Sequence, residues 1–178
     1  MLYIVECSYS DSESEEHWND FYSLVKLPAL ISVSGFITSQ RFKALTPNCP
    51  VYLAIHSIKS PEVICSEEYK QKGGGGGSSW QQYTYDWHRN LYECEDIAPA
   101  VSKNEVLIMV TKHVEFIEDE LGYRPWVMMS AGSYKPPELK VAYVIPRKDV
   151  SLFSNILGRC IYEPIMMQLQ NSVMPPIS

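Results

Sequence analysis

The chain lacks a surplus of positive charge: 15 basic side chains stand against 21 acidic ones in 178 residues. No Lys/Arg cluster is available to displace counterions from phosphates, which argues against a nucleic-acid surface. No apolar run reaches bilayer length, and no membrane association is expected. Met1 leads directly into the alternating Leu2-Tyr3-Ile4-Val5-Glu6-Cys7, with no basic segment and apolar stretch of a secretory leader, so a cytoplasmic address is expected. Cys7, Cys49, Cys65, Cys94 and Cys160 are odd in number and show no CxxC or Cys/His ligand spacing. Reduced thiols and the absence of a structural zinc follow as expectations. The glycines Gly73 to Gly77 are followed by no Lys-Ser/Thr pair, which excludes a phosphate loop. They read as a flexible connection, natural or introduced.

Aromatic residues are abundant, with twelve Tyr and four Trp. Such side chains line pockets and interfaces, and equally fill the core of a compact sheet. The length suffices for one well-buried domain or for two small halves sharing a core.

Periodicity divides the chain into alternating elements. A first strand ends near Ser8. Ser12 and Glu15 have the spacing of a capping box, and a helix over 13–25 is predicted with Trp18, Phe21, Tyr22 and Val25 as its buried stripe. Pro28 then disfavours helical geometry at Leu27 and is expected to stop the helix, while Gly35 permits a positive φ at the entry to the next strand. Strands are predicted over 36–44 and 51–58, and a short helix over 61–70 opens at Pro61. A second, divergent pass follows, with strands over 105–112, 126–130, 139–145 and 160–167 and helical segments over 115–121 and 148–157. The aromatic stretch Trp80 to Tyr92 reads as a helix whose face carries Tyr85, His88, Arg89 and Tyr92.

The corner Val25-Lys26-Leu27-Pro28-Ala29-Leu30-Ile31-Ser32-Val33-Ser34-Gly35-Phe36, followed by Gln40-Arg41-Phe42, resembles the helix-to-strand corner of the EthD-like branch of the dimeric α/β-barrel proteins. Trp80 and then Arg89 with Leu91-Tyr92 extend the resemblance, which covers about the first half of the chain. It implies an α+β fold in which two ferredoxin-like halves, residues 1–95 and 96–178, face their antiparallel sheets across one core. The competing reading is one such domain with a C-terminal extension. The resemblance also implies a cofactor-independent enzyme, a dehydratase, isomerase or cyclase moving protons on a small apolar carbonyl or hydroxyl compound. Lys26 stands where the family commonly has histidine, which weakens any mechanism relying on that imidazole and any haem role.

Candidate chemistry falls on the strands. The aliphatic face of the third strand is expected to pack on the helices, so Tyr52 and His56 are expected to point into the barrel. His56 is then the first candidate base, with Glu6 and His88 as catalytic partners, because imidazole titrates near neutrality and an isolated carboxylate in an apolar strand has a raised pKa. Asp86 orients His88 only if that stretch is irregular. Arg41 and Arg89 are candidates for steadying an oxyanion, and Tyr52, Tyr85, Trp87 and Lys26 for binding substrate. Each has a plain structural alternative: a core-edge histidine, a solvated glutamate, a surface amphipathic helix. A non-catalytic binding or assembly protein with a barrel filled by Phe36, Phe42 and Tyr52 is the second functional reading, and a haem enzyme a third. Two chains could pair through exposed barrel edges.

Overall fold

The computed structural model describes residues 1–74, 79–131 and 138–172. Most of the glycine run, 75–77, lies outside them. Strands β1 (Leu2–Tyr9), β2 (Phe36–Ala44), β3 (Tyr52–Ile58) and β4 (Thr84–Glu93) form the first block, and β5 (Glu105–Val110), β6 (Trp126–Ser130), β7 (Leu139–Pro146) and β8 (Cys160–Pro164) the second. They pair in the order β3-β1-β4-β6-β7-β5-β8-β2, and β2 returns to β3, so eight antiparallel strands close an α+β barrel. A two-residue strand β9 (Leu169–Gln170) adds to the start of β2. Within each block the first and third strands are central neighbours. The blocks join at two short seams, Tyr92–Glu93 against Met129–Ser130 and Phe42–Ala44 against Tyr162–Pro164.

Alternation of side chains gives the wall an inside and an outside. Leu2, Ile4, Phe42, Leu53, Ile55, Tyr92, Leu107, Met109, Trp126, Met128, Ala142 and Tyr162 fill the interior from both blocks. Outside, Tyr3, Val5, Phe36, Ala54 and Ile58 pack against Leu30, Ile31 and Tyr69 of the covering helices, and Val106, Ile108, Val141, Tyr143 and Ile145 against Ile117 and Phe153.

The predicted helix stop at Pro28 does not occur. Helix α1 (Glu15–Phe21) runs through a π-turn (Tyr22–Lys26) into α2 (Leu27–Ile31). Pro28 sits in the first turn of α2, where a missing N–H is tolerated. The wider turn rotates the following residues, so Val25 is exposed and Lys26 faces inward. Gly35 does adopt a φ of +96°, and a Cβ there would stand 2.5 Å from Val63 Cγ2. The helix over 61–70 is a 3-10 turn (Pro61–Cys65) and a short α3 (Glu67–Gln71). In the second block the helical segments are a π-turn (Phe116–Glu120) and a 3-10 helix (Arg147–Phe153).

Two further expectations are corrected. The stretch read as an aromatic helix is β4, preceded by a single 3-10 turn, because seven of its residues take β1 as an antiparallel partner. Asp86, with a φ of +50°, marks a bulge that shifts the register between Glu6 and Ser8. The cysteines are not all free: Cys49 of the β2–β3 loop and Cys160 of β8 form a disulfide across a separation of 111 residues. Cys7, Cys65 and Cys94 remain thiols.

Candidate functional site

His56 is not inside the barrel. Both faces of β3 are buried along its whole length, so polarity did not distinguish them. The aliphatic face, Leu53 and Ile55, turns inward, where two apolar sheets meet. The face with Tyr52, Ala54, His56 and Ile58 lies beneath the helices. There the His56 ring is 0% exposed, stacked on Tyr3 and edge-on to Phe36. Its Nδ1 pairs with Ser39 Oγ at 2.8 Å, and its Nε2 has no partner among the described residues. Burial, and secondarily the Lys26 charge, lowers its pKa to about 3. It is a neutral core side chain.

The same outer face gathers the cationic candidates. Arg41 projects from β2 under α1, 1% exposed. Its guanidinium donates to the Asn19 carbonyl at 3.1 Å, Asn19 Oδ1 at 2.9 Å and Ser23 Oγ at 2.8 Å. It stacks on Tyr22 at 4.2 Å and on Trp18 at 5.0 Å. Lys26 Nζ lies 5.1 Å over the same Tyr22 ring. No ion pair joins either cation to a carboxylate among the described residues. Burial lowers the Lys26 pKa, and the Arg41 and Arg89 charges add to the effect against an opposite pull from Cys7. Burial likewise pushes the Cys7 thiol up to about 11, so it stays protonated near neutrality.

Lys26 borders a small chamber of about 30 Å³ with Cys7, Trp18, Tyr22, Thr84 and Trp87. Trp87 is also a wall of a larger cleft of about 450 Å³, lined by Tyr3, Tyr69, Trp87, Arg89, Leu91 and Ala131 among others. Arg89, on the outer face of β4 opposite Val5, stacks on the Trp87 indole at 5.0 Å. Tyr3 and Tyr69 share a hydroxyl–hydroxyl hydrogen bond of 3.0 Å at the floor of the cleft. Lys26, Arg41, Arg89 and Trp87 are therefore brought together on one surface, with Tyr52 at its far side, where its hydroxyl meets Glu15 and Asn19.

The remaining candidates do not border the chamber at Lys26. Glu6 points into the barrel and is held by Lys140 at 2.6 Å, so it is not the unpartnered carboxylate expected. His88 also lines the larger cleft, but it is paired in register with Glu6, hence on the opposite side of β4 from Arg89, and the His88 and Arg89 side chains are both exposed. Tyr85 is exposed beyond the bulge, opposite Ser8. Sequence reasoning missed Tyr22, Cys7, Tyr3, Tyr69 and Lys140. Among the described residues no three His, Cys, Asp or Glu side chains cluster as metal ligands, and no helix is long and apolar enough to cross a membrane.

No family model and no curated protein matches the sequence. Solved structures do match in shape. A crystal structure of an anthrone oxidase-like protein superposes with a TM-score of 0.62 at 8% identity, over 96% of this chain and 93% of that one. A "putative monooxygenase" from Lactobacillus acidophilus NCFM gives a TM-score of 0.56 at 8% identity, over 96% of each chain. At such identity the likeness is one of fold, a closed antiparallel barrel.

Proposed function

We propose that the chain is an enzyme whose first step removes a proton from a small, largely apolar aromatic carbonyl or hydroxyl compound held on the outer face of the β1–β4 sheet. The observation that carries this reading is Lys26 beside Arg41: two desolvated cations over one tyrosine ring, neither paired with a carboxylate among the described residues. A buried charge without a counter-charge costs several kcal/mol. An enolate or phenolate offsets that cost while its ring fills the cleft of about 450 Å³. The chamber at Lys26, about 30 Å³, admits only the oxygen end, which enters past Trp87.

In this scheme Lys26 releases its own proton more readily than an exposed lysine, because burial and the flanking guanidinium groups disfavour its charge, and the amine so formed accepts the substrate proton. The ammonium so formed, with the fixed field of Arg41 and Arg89, holds the oxyanion. No cofactor enters the scheme. Tyr52 and Asn19 position Arg41, and buried His56 takes no part. The assignment to the EthD-like branch, and the division into ferredoxin-like halves at 1–95 and 96–178, belong to the same reading. It is supported by the strand orders β2-β3-β1-β4 and β6-β7-β5-β8 around the barrel, which are the same order in two blocks.

The carbanion has two fates. The descriptions of the two similar structures favour dioxygen as its acceptor. The carbanion then adds dioxygen, the peroxide takes up the proton, and loss of water leaves a carbonyl. In balance, a methylene group and a molecule of dioxygen become a carbonyl group and a molecule of water. Return of the proton at another position, as in a dehydratase, isomerase or cyclase, shares the first step. Anthrone in heavy water separates these cases. Under nitrogen, exchange of its methylene hydrogens followed by NMR should exceed the buffer rate, and Lys26→Met should lower the enzymatic rate about a hundredfold or more. Oxygen uptake by an electrode then reports oxidation. Exchange at the wild-type rate in Lys26→Met would remove the lysine from the scheme.

A further inference from the structure

The inner face of β1 carries a second charged group. Lys140 of β7 donates to Glu6 Oε1 at 2.6 Å, and the side chains are 10% and 12% exposed. Burial of an ion pair is offset only when the remaining N–H groups and lone pairs also find partners. Here they do not. Lys140 lies 5.5 Å from the Tyr92 ring centroid, and neither charged group makes another hydrogen bond among the described residues. Two phenols beside the pair are similarly unused: the Tyr92 hydroxyl is buried without a partner, and Tyr162, buried among interior side chains, makes none through its hydroxyl among the described residues. Burial raises both phenols, and the Glu6 charge adds to it, so they stay neutral donors.

This group borders a cavity of about 180 Å³ at one end of the barrel, lined by Glu6, Lys140, Tyr162, Met109, Val110 and Cys160 among others. Its polar wall presents a carboxylate and an ammonium side by side, and much of the rest is apolar. A simple anion meets Glu6 as a like charge, and a simple cation meets Lys140 as one. A zwitterion meets an opposite charge at both. We propose that this end of the barrel binds a free α-amino acid with an apolar side chain. Its ammonium pairs with Glu6, its carboxylate with Lys140 and the Tyr162 hydroxyl, and its side chain packs on Met109. The volume excludes a drug-sized ligand and suits a side chain of leucine or methionine size. The site lies on the opposite face of β1 from Lys26 and is independent of the deprotonation chemistry.

Isothermal titration and thermal melting of the full chain test this with three probes. L-leucine carries both charges, N-acetyl-L-leucine lacks the ammonium, and 3-methylbutylamine lacks the carboxylate. Leucine should bind saturably at one per chain and raise the melting temperature, with each analogue about tenfold weaker or worse. Glu6→Gln alone leaves Lys140 unpaired and can unfold the chain, so the double variant Glu6→Leu with Lys140→Met removes both charges together. It should fold and no longer respond to leucine. Absence of leucine binding to the wild type, equal binding of the N-acetyl compound, or undiminished binding by the folded double variant would each overturn the assignment.

Discussion

Acidification should expose the position of His56 as a loss of stability. The imidazole is buried with one nitrogen on Ser39 and the other without a partner among the described residues, and the nearby Lys26 charge opposes its protonation. Its folded pKa, about 3, lies below the 6.5 of the unfolded chain. Between these values the unfolded state binds the extra proton, so stability rises with pH across the window and is fully present only above the unfolded pKa. At about 1.4 kcal/mol per pH unit, the displacement comes to roughly 4 kcal/mol near pH 3 and about 3 kcal/mol at pH 4.5. Other groups titrate in the same range, and a variant isolates this one. His56→Asn keeps a polar atom near the position of Nδ1 but carries no ionisable group. Urea unfolding from pH 4.5 to 8 should show the wild type losing about 3 kcal/mol more than His56→Asn by the lower limit. Parallel pH profiles would refute the placement of the imidazole in the core beneath the helices.

Two other predictions concern the frame. Thiol titration of the unfolded chain should find three reactive cysteines without reductant and five with it, since Cys49 and Cys160 are bridged; five without reductant would contradict the bridge. Gly35→Ala must accommodate a positive φ and a Cβ against Val63, so it should lower stability by about 1–3 kcal/mol in a denaturant titration. An unchanged midpoint would show that the corner relaxes freely.

Much of the wall was legible because its signals are local. β2 was predicted over its full range, and the strands over 51–58 and 126–130 to within a residue, from alternation bounded by turn residues. The strand β4 was not, because Tyr85, Trp87, His88 and Arg89 do not alternate in polarity, and the bulge at Asp86 breaks what period there is. The inside and outside of β3 were exchanged for a different reason. A closed barrel buries both faces, and the apolar side belongs to the interior shared by two blocks. The helix-covered side accepts polar groups because helix backbone and side chains supply partners, as Asn19 and Ser23 do for Arg41. Lys26 and Arg41 came from a motif, but their meeting over Tyr22 depends on a π-turn that periodicity assuming 3.6 residues per turn does not reveal. The Glu6–Lys140 pair spans 134 residues and leaves no local trace at all.

The account rests on a desolvated pair of cations that captures an oxyanion, and 4-nitrophenol reads this directly because its anion is yellow and it titrates near neutrality. At a mildly acidic pH of about 6, below the range where thiols and phenols of the chain ionise, the full chain should bind it saturably as the phenolate, with the yellow band growing as protein is added. Lys26→Met should abolish the band while a melting curve shows the variant folded. Binding as the colourless phenol, or a band that survives Lys26→Met unchanged, would contradict the central claim.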